Sequence, residues 1–187
     1  MMNGQVTEYQ RTLKLSLDHI FNPDIVRVEW SAMRDEPRIY SPRLDLAVGP
    51  FATHRRYIEE YNNLSISHSA LLRALYVRHL ENVEEGDSDR FNFESVINRN
   101  FNARCFLAIE IENQVSHKHL MGGAINAAAL GRIGLAVAWS ADNLRKFVRM
   151  RNYMLFLSDV EKNTFDTSNL LVLTAEQLLE IINDYAS

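Results

Sequence analysis

An α/β fold is what this sequence predicts, and three observations carry the prediction. Ala103 to Asn113 and Ile133 to Trp139 are apolar runs of strand length. Between them Leu120 to Gly131 is a run of small residues long enough for a helix, so the three pieces form a β-α-β unit inside a sheet. Earlier in the chain, Val26, Val28 and Trp30 alternate with Arg27 and Glu29, the mark of a strand with one wet face.

The remaining elements follow in order. Thr7-Glu8-Tyr9-Gln10 has the form of a capping box, and Tyr9, Leu13, Leu17 and Ile20 recur at helical spacing, which predicts an amphipathic helix over 7–20. Phe21-Asn22-Pro23 ends it, and the first strand spans 24–30. A turn at Arg34 to Pro37 leads to strand-like pieces over 38–48, with Pro42 removing one ladder bond between them. Residues 51–100 change character: His54 to Tyr61 and Ser67 to Asn82 read as helices and Glu84 to Asp89 as an acidic loop, so this stretch is a helical insertion between core strands. After the strand over 104–112, a helix over 117–130 and the strand over 133–139, Ser140 can cap a helix over 141–156. A polar loop from Ser158 to Ser168 then precedes a short strand at Leu170 to Leu173. Thr174-Ala175-Glu176-Gln177 is a second capping box, opening a last helix through Tyr185.

With 187 residues the chain suffices for one well-buried core, and a single domain over 1–187 is expected. A hydrophobic fraction of 47% with 24% charged residues is that of a globular protein, and a formal charge of -4 gives no global attraction to polyanions. The one cysteine, Cys105, has no internal partner and lies in an apolar strand, which fits a small core residue in a reducing, cytoplasmic setting. No apolar leader or membrane-spanning run is expected.

A strand inside a sheet should be apolar on both faces, and Glu110 and Glu112 break that rule. Spaced by two, they share a side with Phe106 and Ala108, while Leu107, Ile109 and Ile111 fill the other. Two ionised carboxylates there repel each other and lose hydration, so something positive should sit beside them. Asp45 stands in Leu44-Asp45-Leu46-Ala47-Val48 as Glu110 stands in its own strand, with Ala47 on its side. If the two strands are neighbours, Asp45, Glu110 and Glu112 converge and offer three hard oxygen donors suited to Mg²⁺ or Mn²⁺. Such an ion can activate water and neutralise charge on a phosphate.

These residues, in this order of elements, resemble the PD-(D/E)XK, or restriction-endonuclease-like, nuclease superfamily. Its core is a helix, a β-meander, a crossover helix and a further strand, with an acid on the second strand and an acid-x-lysine triplet on the third. The similarity covers most of the chain outside the insertion and the C-terminal part. It implies a central mixed sheet flanked by helices, with Asp45 and Glu110 as metal ligands and Glu112 in the place usually held by lysine. Lys118, at the start of the crossover helix, is the candidate substitute for stabilising phosphate charge. Leu44 stands where the family usually has proline. The implied activity is metal-dependent hydrolysis of phosphodiester bonds in nucleic acid, DNA before RNA. A catalytically inactive member that binds a nucleic-acid or protein partner is the alternative.

Other roles stay open for the same side chains. Glu110 and Glu112 can be charged edge-strand residues paired with lysine or arginine, Asp45 can satisfy backbone donors near Gly49-Pro50, and Lys118 can be a solvated helix end. Ser116 reads as a helix cap, and His117 and His119, two apart on a helix, do not form a zinc pair. Gly122, Gly123, Ala124, Ala127, Ala128 and Gly131 read as close packing of helix on sheet and not as a phosphate loop. Arg145, Lys146, Arg149 and Arg151, with Phe147 and Tyr153 interleaved, form either a solvated face or a contact with a phosphate backbone. The helical insertion can also serve as an interface, for which a homodimer is one arrangement.

Overall fold

In the computed structural model, which describes residues 2–33, 38–83, 92–113, 117–162 and 165–186, a five-stranded mixed sheet is sandwiched between two layers of helices. The chain runs α1 (Met2–Ile20), a 3₁₀ turn (Pro23–Ile25), β1 (Val26–Ser31), β2 (Arg43–Val48), α2 (Ile58–Ser67), α3 (Ser69–Asn82), α4 (Phe93–Ile97) and β3 (Cys105–Glu112). It continues with α5 (His117–Leu130), β4 (Gly131–Ala138), α6 (Ala141–Asp159), β5 (Leu170–Thr174) and α7 (Ala175–Ala186). The strands stand side by side in chain order. Their first two pairings are antiparallel and the last two parallel, so β3, α5 and β4 form the expected crossover unit.

Two apolar clusters define the layers. Leu46, Val48, Leu107, Ile109, Ile111, Leu135 and Leu173 pack against Leu13 and Leu17 of α1, Leu72 and Leu75 of α3, and Leu178 and Ile182 of α7. On the opposite face, Ala47, Ala108, Ala136, Ala138 and Val172 meet Leu120, Ala124, Ala127 and Ala128 of α5 and Phe147 of α6. The small side chains on both sides let α5 lie close to the sheet. At Gly134 the helix comes close, since an added Cβ would stand 2.7 Å from the backbone of Ala127. Gly122, by contrast, has nothing within 4 Å, so it is not one of the packing residues that the small-residue run suggested.

Several expectations need correcting. α1 starts at Met2, before the supposed capping box, and Gln10 turns its amide to another strand instead. The strand pieces over 38–48 reduce to Arg43–Val48. Pro42 has no N–H to give a ladder and offers only its carbonyl to Ala32 N at 3.1 Å. The helix expected from His54 begins at Ile58. Phe106 belongs to the first cluster, its ring 6.2 Å from Phe21 and 6.4 Å from Tyr61, and does not share the side of Ala108. The turn at 34–37, the acidic loop at 84–89 and Ser116 lie outside the described residues. The second capping box stands as expected: Gln177 N–H donates to Thr174 Oγ1 at 3.2 Å and Thr174 N–H to Gln177 Oε1 at 2.8 Å. Ser140 likewise caps α6 through Asn143 N–H.

The helices of 51–100 are built into the first layer. Arg132, buried near the start of β4, donates to Asn62 Oδ1, Asn98 Oδ1 and the Asn100 carbonyl at 3.0, 2.9 and 3.1 Å, tying that segment to the sheet. At the outer margin of β5, two side chains of α3 take the place of a sixth strand. His79 Nδ1 accepts the Val172 N–H at 2.9 Å and Asn82 Nδ2 donates to the Val172 carbonyl at 3.0 Å. Burial, with the positive charge of Arg151, pulls the imidazole down to about 3 and keeps it a neutral acceptor. Cys105 is fully buried and unpaired, as expected of a core residue.

Candidate functional site

β2 and β3 pair with Ala47 opposite Ala108 and Leu46 opposite Ile109, so the next step of the ladder sets Asp45 against Glu110. The two carboxyl groups meet in a hydrogen bond. Asp45 Oδ2 also accepts the Ile111 N–H at 2.6 Å, and its Oδ1 accepts from Gln10 Nε2 of α1 at 3.0 Å. Glu110 receives the side chain of Asn126 from α5. Gly123 leaves room beside it, since a Cβ there would stand 3.6 Å from the Glu110 Cβ.

The donors decide which acid is ionised. Burial pushes both carboxyl groups above the ordinary range, and each is pushed further by negative neighbours. Asp45 has a backbone N–H and an amide holding its anion, whereas Glu110 has one amide, so Glu110 keeps the proton and donates it to Asp45. A shared proton and three amide donors offset the crowding of the two acids.

Glu112 does not complete a three-carboxylate group: among the described residues no three His, Cys, Asp and Glu side chains come together to hold a metal ion. Two residues of strand carry its Cα roughly 6.6 Å beyond that of Glu110. Its charge still acts on both acids, and its carbonyl is held by Trp139 N–H at 3.1 Å and Asn143 Nδ2 at 3.0 Å. Lys118 is exposed on the first turn of α5 and is not among the charges acting most on the pair.

The sequence alone places Glu29 only on a wet face. β1 pairs with β2 through Val28 opposite Leu46 and Trp30 opposite Leu44, which brackets Glu29 against Asp45, and its charge raises Asp45 more than that of Glu112 does. Glu29 adopts φ 49°, a left-handed conformation unusual for a residue with a Cβ. Here β1 changes face, with Val26 in the first cluster and Trp30 in the second. A salt bridge of 2.9 Å to Arg43 holds the Glu29 carboxylate at the surface. From there a cleft of about 470 Å³ runs along β1, walled by Arg27, Trp30, Phe51 and His54. Gln10 and Asn126 were also missed, because polar amides on amphipathic helices carry no spacing signal until the partner strand is in place.

Two carboxyl groups with hard oxygens match the protein's share of the way Mg²⁺ is commonly held, by one or two carboxylates with water completing the shell. Displacing the shared proton is the cost of such binding. No helix of the described residues is long and apolar enough to cross a membrane. No protein-family model, curated protein or solved structure matches the chain.

Proposed function

We propose that the chain is a metal-dependent nuclease of restriction-endonuclease-like type, hydrolysing phosphodiester bonds in nucleic acid, DNA before RNA. The observation that carries this is the meeting of Asp45 and Glu110 across neighbouring strands, at the positions where the resemblance puts the metal ligands. A Mg²⁺ or Mn²⁺ ion bound there supplies charge neutralisation at the phosphate and a more acidic water. The chain's own groups do the rest. Gln10 and Ile111 N–H fix the Asp45 carboxylate, Asn126 fixes Glu110, and Glu112 stands along the strand to orient water. Lys118 is assigned to phosphate charge at the mouth of the site.

The test uses DNA with Mn²⁺ or Mg²⁺, comparing the parent with Asp45→Asn and Glu110→Gln. Each substitution is expected to cut the rate by at least about 10²-fold, as loss of a metal ligand should. Equal rates in parent and variants would remove both residues from the chemistry. The ion should also raise the melting midpoint of the parent and not of Asp45→Asn.

A second reading is favoured by one observation: Glu112 stands where the triplet has lysine, and Lys118 is exposed with no partner among the described residues. In that case the same fold binds a nucleic-acid or protein partner without cutting. A midpoint indifferent to Mn²⁺ would favour it.

A further inference from the structure

A second site lies on the other side of α5. Between α5 and α6 a groove of about 420 Å³ is lined by Met121, Asp142, Arg145, Lys146, Arg149 and Tyr153. At Met121 and Tyr153 it continues into an apolar hollow of about 250 Å³ walled by Ile125, Leu157 and Phe165. Three cations face one anion here, on a chain whose formal charge is -4. Asp142 engages Lys146 at 2.5 Å and Arg145 at 3.5 Å, while Arg149 has no ion pair among the described residues. Beside these cations Tyr153 is 51% and Phe165 56% exposed, large aromatic faces that water solvates poorly.

Arg145, Arg149 and Tyr153 recur every fourth residue on α6, so they form a row with steps of about 6 Å. That is comparable to the phosphate spacing of an extended, unstacked strand. Only a single strand presents base faces to an aromatic ring. An apolar peptide would leave Arg149 without an ion-pair partner among the described residues.

We infer that the α5–α6 groove binds a single-stranded polynucleotide, with phosphates along Arg145, Lys146 and Arg149 and a base stacked on Tyr153. This rests on the nuclease proposal only for the class of polymer, and its test involves no hydrolysis.

The full-length chain is titrated, in EDTA, against fluorescently labelled oligothymidylate of about 15 nucleotides and against a duplex of equal length, with anisotropy as the readout. The single strand should bind more tightly than the duplex, with a slope of log affinity against log salt of about -2. Tyr153→Ala should weaken binding about tenfold and Tyr153→Phe should not. Arg145→Glu with Arg149→Glu should weaken it further. Asp142→Asn, which removes the opposing charge, should tighten it about two- to fivefold, a gain that misfolding cannot produce. Absence of binding at low salt, equal or better binding of the duplex, or indifference to these groove substitutions would each overturn the inference. Loss on Tyr153→Ala without salt dependence would overturn it too. Asp45→Asn should bind like the parent. A parent that binds but never cuts would sink the nuclease proposal and leave this one standing.

Discussion

At the level of single residues, the Asp45–Glu110 pair has a thermodynamic signature in the free protein. The native Glu110 carboxyl keeps its proton above about pH 4.3, where the same group in the unfolded chain loses it. Over that interval the native state binds more protons than the unfolded state, so this group's contribution lowers stability as pH rises. Glu110→Gln keeps a donor toward Asp45 and removes the titration. The variant should match the parent near pH 4 and exceed it at pH 8 by about 1–3 kcal/mol in urea unfolding. A difference that does not grow with pH would refute the shared proton. Asp45 and Glu110 were legible in the sequence because an acid amid apolar strand residues has no ordinary excuse. Glu29 was not, because its neighbours alternate as those of any half-exposed strand do. Only the register, Val28 to Leu46 and Trp30 to Leu44, reveals what it faces.

Secondary-structure elements were easier to read where side chains near in sequence decide them. The Thr174–Gln177 box and the Ser140 cap are closed within three residues, and both formed as expected. The Thr7–Gln10 box failed because residues before Thr7 already continue the helix and Asp45 offers Gln10 a partner from another strand. The crossover helix shows the same limit. Its small residues announced close packing, yet sequence does not tell which glycine is needed. Gly122 meets nothing within 4 Å and Gly134 faces the backbone of Ala127 at 2.7 Å. Gly122→Ala should therefore raise stability by about 1 kcal/mol through helix propensity. Gly134→Ala should lower it by about 1–3 kcal/mol through overpacking. Thermal melts of the two variants, moving in opposite directions, check the assignment; a Gly134→Ala protein as stable as the parent would contradict it.

Across the whole molecule, the α/β class and the β-α-β unit followed from the alternation of apolar runs and helical spacing, and the mixed sheet flanked by helices from the resemblance. What the pattern did not convey is how far the stretch 51–100 is part of the core. Tyr61, Leu71, Leu72 and Leu75 are buried against the sheet, and Arg132 is held by Asn62, Asn98 and the Asn100 carbonyl. Replacing 54–100 by a short linker should abolish the cooperative melt, because it bares Leu171 and Leu173 and removes the partners of a buried cation. Circular dichroism during heating reads this, and a truncated chain that still melts cooperatively would show the segment to be dispensable.

His79 and Asn82, by occupying the N–H and carbonyl of Val172, seal one flank of the sheet from within. The opposite flank is bent where Glu29 turns left-handed, which spoils the even spacing a foreign strand would need. A foreign strand would therefore meet a filled hydrogen-bond row on one flank and an uneven one on the other, which disfavours copies of the molecule joining edge to edge.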